Sequence, residues 1–254
     1  MNRRDFIKRA GTATVAAAIM SPTEMLAHTE GNTPDNEVEP ETKTTNEKME
    51  GKKVLLINGS PRKNGNTATA LQEVAKSLNA QGILTEIEWI GNKPIRGCIA
   101  CGSCKRNGSG QCVFDDDICN SMIRKMNEAD GLVVGAPVYY GVPAGQTLSL
   151  IQRMLYAGAD VQNKPAAAIT VCRRGGATAA FQTLTMPFQM MNMPIATSQY
   201  WNIAYGLTPG EASQDAEGMQ TMRTLANNMA WMLKSLNRES CPPREGFKAT
   251  NFIR

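Results

Sequence analysis

The segment Lys53–Asn58 contains Val54-Leu55-Leu56-Ile57, an unbroken apolar run that ends abruptly in Asn58-Gly59-Ser60-Pro61 before a helical pattern begins at Asn66. A strand that is apolar at every position is covered on both faces. A chain meets that requirement by placing helical crossovers between parallel strands. Leu84–Ile90, Gly131–Ala136, Ala166–Cys172 and Ile195–Ala204 read as four further strands. Between them, Asn66–Ala80 carries Leu71, Val74, Ala75 and Leu78 on one helical face, and Asp115–Ala129, Ala144–Tyr156, Ala177–Asn192 and Ala212–Leu236 also read as helices. Asp115-Asp116-Asp117 suits the positive end of a helix dipole. Strands alternating with helices in this way predict an α/β fold, a doubly wound five-stranded parallel sheet. The order 2-1-3-4-5 puts a ligand crevice beside strands 1 and 3, where the loops after strands 1, 3 and 4 meet. The loop after strand 2 leaves the same edge.

The N-terminal quarter is of another kind. Met1-Asn2-Arg3-Arg4-Asp5-Phe6-Ile7-Lys8 resembles the twin-arginine export motif, and an apolar stretch from Ala10 to Met20 follows it. That stretch is too short to span a bilayer but suits a signal segment, so no stable membrane span is expected. Residues 1–27 are therefore read as a twin-arginine signal, with a possible cleavage point after Ala27, and the protein as periplasmic or otherwise exported. Residues 28–51 carry two basic and seven acidic groups and almost no large apolar side chain, which predicts a disordered acidic spacer. The remainder, 52–254, carries +7 against the chain's overall +4, because the spacer contributes −5 and the first 27 residues +2. A mildly basic body favours anionic ligands, while the lack of Lys/Arg runs with interleaved aromatics argues against nucleic acid. The single histidine, His28, lies in the spacer, so a mechanism that needs a histidine base is disfavoured.

The loop after the first strand, Asn58-Gly59-Ser60-Pro61-Arg62-Lys63-Asn64-Gly65-Asn66-Thr67, can turn backbone N–H groups towards a phosphate at the start of the next helix. A plain capped turn explains the same Gly, Ser and Asn; the buried strand ahead of it and the Ser/Arg/Asn/Thr set favour phosphate. It has neither a GxGxxG nor a GxxxxGK[ST] pattern, which disfavours a dinucleotide fold and a nucleotide-triphosphate loop. This loop, together with Gly135-Ala136-Pro137-Val138-Tyr139-Tyr140-Gly141-Val142-Pro143 and Cys172-Arg173-Arg174-Gly175-Gly176, resembles the NADPH-dependent FMN reductase family, whose fold is flavodoxin-like. The resemblance spans about residues 52–240, with 241–254 a C-terminal tail. It implies that Ser60, Arg62, Asn66 and Thr67 bind the FMN phosphate. Pro137, Val138, Tyr139, Tyr140 and Gly141 would line the flavin ring, and Arg173, Gly175 and Gly176 would close over its edge. Tyr139 and Tyr140 are also compatible with ordinary core and surface roles. No catalytic acid or base is required, because the flavin accepts and donates hydride itself.

Cys98, Cys101 and Cys104 stand at intervals of three, and Cys112 follows after a Gly-containing stretch. Four such thiols can hold a [4Fe–4S] cluster. The pattern is similar to that of the iron–sulfur flavoproteins, a branch of the same family. Disulfides in an oxidising compartment and a four-thiolate zinc site remain alternatives. Cys119, Cys172 and Cys241 read as packing residues, and Met186, Met190, Met191 and Met193 as core or dimer contact in a homo-oligomer. The expected activity is FMN-dependent oxidation and reduction between a small-molecule or protein electron donor and an acceptor, with the cluster as relay. The alternative is a non-enzymatic flavin electron carrier.

Overall fold

The computed structural model describes residues 51–246 and Lys248. The segment read as a twin-arginine signal, the expected spacer up to residue 50, and residues 247 and 249–254 of the tail lie outside the described residues. In chain order the elements are β1 (Lys53–Asn58), α1 (Asn66–Asn79), β2 (Leu84–Trp89), α2 (Ser103–Arg106), α3 (Cys119–Glu128), β3 (Gly131–Tyr139), β4 (Val142–Pro143), α4 (Gly145–Ala157), β5 (Ala166–Cys172), α5 (Ala177–Met190), β6 (Ile203–Tyr205) and α6 (Ala216–Ser235), with 3-10 turns at Glu211–Gln214 and Arg238–Ser240. The sheet order is β2-β1-β3-β5-β6, all parallel, and β4 pairs antiparallel with the end of β3. Setting β4 aside, this is the expected 2-1-3-4-5 order of a flavodoxin-like fold.

The period of two along each strand explains the two helical layers. Val54, Leu56, Val133 and Ala167 share one apolar cluster with α1 and α6, whereas Leu55, Ile57, Leu132 and Val134 share another with α3, α4 and α5. Burial on both faces is what made β1 read as a continuous apolar run. The edge strand β2 differs. It pairs only with β1, its Leu84 and Ile87 are exposed, and its Glu86 and Glu88 face lysines. Lys53 Nζ reaches Glu86 at 2.6 Å, Lys125 Nζ reaches Glu88 at 2.6 Å, and Lys125 also pairs with Glu86. Lys125, and then Lys53, hold the Glu86 carboxyl down at about 2, and Glu86 in turn, followed by Glu88, raises Lys125 to about 12.

Two elements depart from the sequence expectation. The helix expected from Asp115 begins only at Cys119. Asp117 turns its Oδ1 back to accept from Cys119 N at 3.0 Å, and Asp115 Oδ1 accepts from Asn120 Nδ2 at 3.0 Å, so side-chain partners hold these carboxylates in a loop. The fifth strand, expected at Ile195–Ala204, pairs only over Ile203–Tyr205, preceded by a lone bridge between Ile195 and Ala166. Between them the chain bulges outward and exposes Tyr200 and Trp201. Asn202 then anchors the return, donating from Nδ2 to Ala168 O at 3.1 Å. The methionines divide: Met193 is buried, Met191 packs against the core, and Met186 and Met190 are exposed.

Candidate functional site

The loop after β1 is fixed from several sides. Gly59 N donates to Gly135 O at 2.8 Å and Thr147 Oγ1 donates to Gly59 O at 2.9 Å, which ties the loop to β3 and α4. A Cβ on Gly59 would stand 2.2 Å from Thr147 Oγ1 and 2.9 Å from Gly135 O, so only glycine fits. Asn58 accepts from Ser60 N at 3.1 Å and donates to Lys63 O at 3.0 Å, curling the chain. Ser60 Oγ accepts from Arg62 N at 3.1 Å, while Trp89 Nε1 donates to Ser60 O at 2.7 Å. The loop delivers α1 with Gly65 as its N-cap, no side-chain cap and no acid in the first turn. Such a helix end presents N–H groups and partial positive charge to an anion.

That helix end opens on a cleft with about 190 Å³ of free space at the C-terminal edge of the sheet. Ser60, Arg62, Asn66 and Thr67 form one side, and Pro137, Val138, Tyr139 and Arg173 another. The Asn66 side chain also bridges two loops. Its Nδ2 donates to Thr208 O at 2.9 Å and its Oδ1 accepts from Ala212 N at 3.1 Å, drawing the loop after β6 across. Beyond Tyr139 the chain reverses through Tyr140 (φ 52°) and Gly141 (φ 81°), a two-residue hairpin of the primed type that leads into β4. Gly176, at φ 84°, packs behind it; a Cβ there would lie 2.9 Å from Gly141 Cα.

Eight of the twelve residues expected at the flavin therefore line this cleft. Tyr140, Gly141, Gly175 and Gly176 do not; Gly141 and Gly176 shape the rim, and Tyr140 is fully exposed. The cleft also takes Val171, Cys172, Gly206, Leu207 and Pro209, which sequence reasoning missed. Gly206-Leu207-Thr208-Pro209-Gly210 follows the last strand at the same sheet edge, and that Gly/Pro signal was available. Cys172 is nearly buried, and burial pushes its thiol pKa up, so it sits in the cleft floor as a neutral thiol.

The four cysteines of the second motif meet elsewhere. Cys98, Cys101, Cys104 and Cys112 line one cavity of about 20 Å³, walled by Phe114, Arg153 and Tyr156. All seven cysteines are free thiols. Among the described residues no three His, Cys, Asp or Glu side chains are drawn together around the position of a single metal ion. Cys119, in the core beside the cavity, is raised to about 12, chiefly by burial, which marks it as a fifth, unreactive thiol. Arg153 is 1% exposed. It pairs with Asp117 and donates from Nη1 to Arg96 O and from Nη2 to Phe114 O, both at 3.1 Å. Its Nε is buried with no partner. Four thiols lining one cavity beside an unpartnered cationic donor are a donor set that fits an anionic thiolate-bound group.

The two cavities do not share an edge of the sheet, as the loop's point of departure had implied. After β2 the chain runs along α4: Gln146 Nε2 donates to Lys93 O at 2.8 Å near the first turn, Arg153 meets Arg96, and Tyr156 and Ala157 wall the thiol cavity at the last. From Gly145 to Tyr156 the helix rises about 16 Å at 1.5 Å per residue.

A sequence model described as NADPH-dependent FMN reductase matches residues 52–208. An iron–sulfur flavoprotein of Methanocaldococcus jannaschii is 32% identical over 73% of this chain and 100% of its own length. Another, from Methanosarcina thermophila, is 29% identical over 73% of this chain and 97% of its own. Among solved structures, that of RosB with a bound 8-demethyl-8-formylriboflavin-5'-phosphate intermediate superposes with a TM-score of 0.58 at 16% identity, covering 80% of this chain and 94% of RosB. At that identity the likeness concerns the fold alone.

Proposed function

The chain belongs to the NADPH-dependent FMN reductase family, and we propose that it is an FMN-dependent oxidoreductase that also carries a four-thiolate iron–sulfur cluster. The observation that carries the flavin reading is the uncapped start of α1 opening on a cleft where the loops after β1, β3, β5 and β6 meet. Ser60, Thr67 and the first-turn N–H groups of α1 would hold the phosphate, with Arg62 adding full charge. Pro137, Val138, Tyr139 and Arg173 would support the ring from one side, with Cys172 and Leu207 completing the cleft around it. FMN, once bound, supplies hydride acceptance and donation at its ring, so the protein's part is binding, orientation and exclusion of water. No residue in the cleft is needed as an acid or base.

The cluster reading rests on the donor set and on the iron–sulfur flavoproteins among the relatives. Cys98, Cys101, Cys104 and Cys112 would be its ligands, and it would serve as a one-electron partner to the flavin's two-electron chemistry. The likeness of Met1–Lys8 to the twin-arginine motif, with the apolar stretch after it, supports a reading as an exported flavoprotein. A non-enzymatic carrier of electrons between protein partners uses the same binding residues and differs in turnover alone.

Acid release and chromatography of the cofactor test the flavin. FMN is the expected product; FAD, or no flavin after reconstitution, overturns the reading. Anaerobic preparation should give about four iron atoms per chain. Absence of iron together with Cys98–Cys112 paired as disulfides would remove the cluster and leave the flavin. Steady-state assays with NADH, NADPH and quinones separate an enzyme from a carrier.

A further inference from the structure

We infer that Arg153 is the positioning residue of the thiolate centre: its Nε–H points into the four-cysteine cavity as a hydrogen-bond donor to cluster or thiolate sulfur, and its charge sets the centre's reduction potential. The inference rests on the cluster reading above and goes beyond it. Three observations carry it. Arg153 is the largest fully buried side chain of the described residues and walls the same cavity as all four cysteines. Its other nitrogens are committed, Nη1 to Asp117 and Arg96 O and Nη2 to Phe114 O, so its orientation is locked. Among the described residues only Nε is left buried without a hydrogen-bond partner.

An arginine in a dry interior needs a reason, because a single carboxylate such as Asp117 does not use all five of its N–H donors. Four thiolates with their irons form a net anion, and a buried guanidinium beside them supplies the compensating charge. Hydrogen bonds to sulfur and local charge are the protein's means of setting a cluster's potential. Positive charge favours the more negative, reduced state. Asp117, 8% exposed at its side chain and paired with Arg153, works in the opposite direction. The pair therefore fixes both the fork's orientation and the size of the effect.

The test uses the full chain, reconstituted anaerobically with iron and sulfide, with iron content and a midpoint potential from paramagnetic-resonance titration as readouts. Arg153→Met should retain less iron and, in the cluster that forms, lower the reduced-to-oxidised ratio at fixed potential about tenfold, a shift of about 59 mV for one electron. Asp117→Asn removes the opposing charge and should shift the potential upward. A purely structural salt bridge predicts loss of stability in both variants with no opposed shift. FMN content, read from the same samples, should not change. If the Arg153→Met chain does not fold, Asp117→Asn and Arg153→Lys still decide: lysine keeps the charge and should keep the potential near wild type, so an unshifted or lowered potential in Asp117→Asn, or a potential in Arg153→Lys lowered by about 59 mV or more, overturns the inference. Wild-type protein that takes up no iron overturns the cluster reading itself and this inference with it. Wild-type protein with a cluster and an unshifted Arg153→Met potential overturns the inference alone.

Discussion

Replacing Gly59 by Ala tests whether the loop after β1 is held in place by packing rather than by its own flexibility. The backbone at Gly59 is outside the left-handed region, so alanine meets no torsional penalty and the cost is steric. Its Cβ would arrive 2.2 Å from Thr147 Oγ1, 2.7 Å from Thr147 Cγ2 and 2.9 Å from Gly135 O. The threonine is fully buried, and Gly135 O belongs to a central strand held on both sides, so neither yields freely. Overpacking of this kind costs about 1–3 kcal/mol. At about 2–4 °C per kcal/mol for a domain of this size, the apo protein should melt about 2–12 °C lower. Relief by moving the loop would misplace Ser60 and the start of α1, and FMN affinity should fall at least tenfold, about 1.4 kcal/mol. Adding Thr147→Ala removes two of the three contacts and leaves the carbonyl, so the double variant should lose less than the two single variants together. Thermal melts and FMN fluorescence titration give both quantities. Unchanged melting and unchanged affinity would refute the packing argument; lower melting with wild-type affinity would show that the phosphate is held elsewhere.

Trp89→Phe deletes the 2.7 Å hydrogen bond to Ser60 O, and at about 0.5–1.5 kcal/mol it should weaken FMN binding about two- to tenfold in a fluorescence titration. Tyr140→Asn places a residue tolerant of positive φ at a position of 52°; relief of about 1 kcal/mol should raise the melting temperature by about 2–4 °C. Glu86 is held by Lys125 and Lys53 at about 2, below its ordinary 4.5, so its contribution is complete above 4.5 and lost as pH falls towards 2. Acid melts of Glu86→Gln should therefore be flatter across that window than wild type, with the difference shrinking in salt. Changing Arg3 and Arg4 together to Lys should leave a folded, yellow protein in the cytoplasm of a host with twin-arginine export, as fractionation would show.

The fold was legible because β1, β3 and β5 each carry an apolar run without the period of two, as in Val54–Ile57, and a sheet covered on both faces explains that. The phosphate loop was legible for the same reason, since Asn58-Gly59-Ser60 follows directly from such a strand. Leu207 and Pro209 were not assigned because only the loops after strands 1, 3 and 4 were expected at the crevice, although the last strand ends at Tyr205, one residue past its expected end, and delivers them to the same edge. Asp115-Asp116-Asp117 looked like a helix start because acids favour that position, and Asp117 does accept from Cys119 N where the helix opens, but Asp116 and Asp117 are also held by Arg96 and Arg153 from other elements. Arg153 was invisible in the sequence, where an arginine in a helix reads as solvated. The 96–114 segment that covers it buries no long apolar run of its own.

The strand β2 has consequences for how copies of this chain can meet. A strand with one neighbour presents its other side as a template on which a second chain can continue the sheet. Here Glu86 and Glu88, braced by Lys53 and Lys125, set ion pairs on one face of that border strand, so an incoming strand would have to displace them or bury them. Association of native copies through β2 is thereby disfavoured. Acid that neutralises Glu86 weakens this protection, so sheet-to-sheet aggregation should begin on the acid side, before the buried cores of the two helical layers are lost.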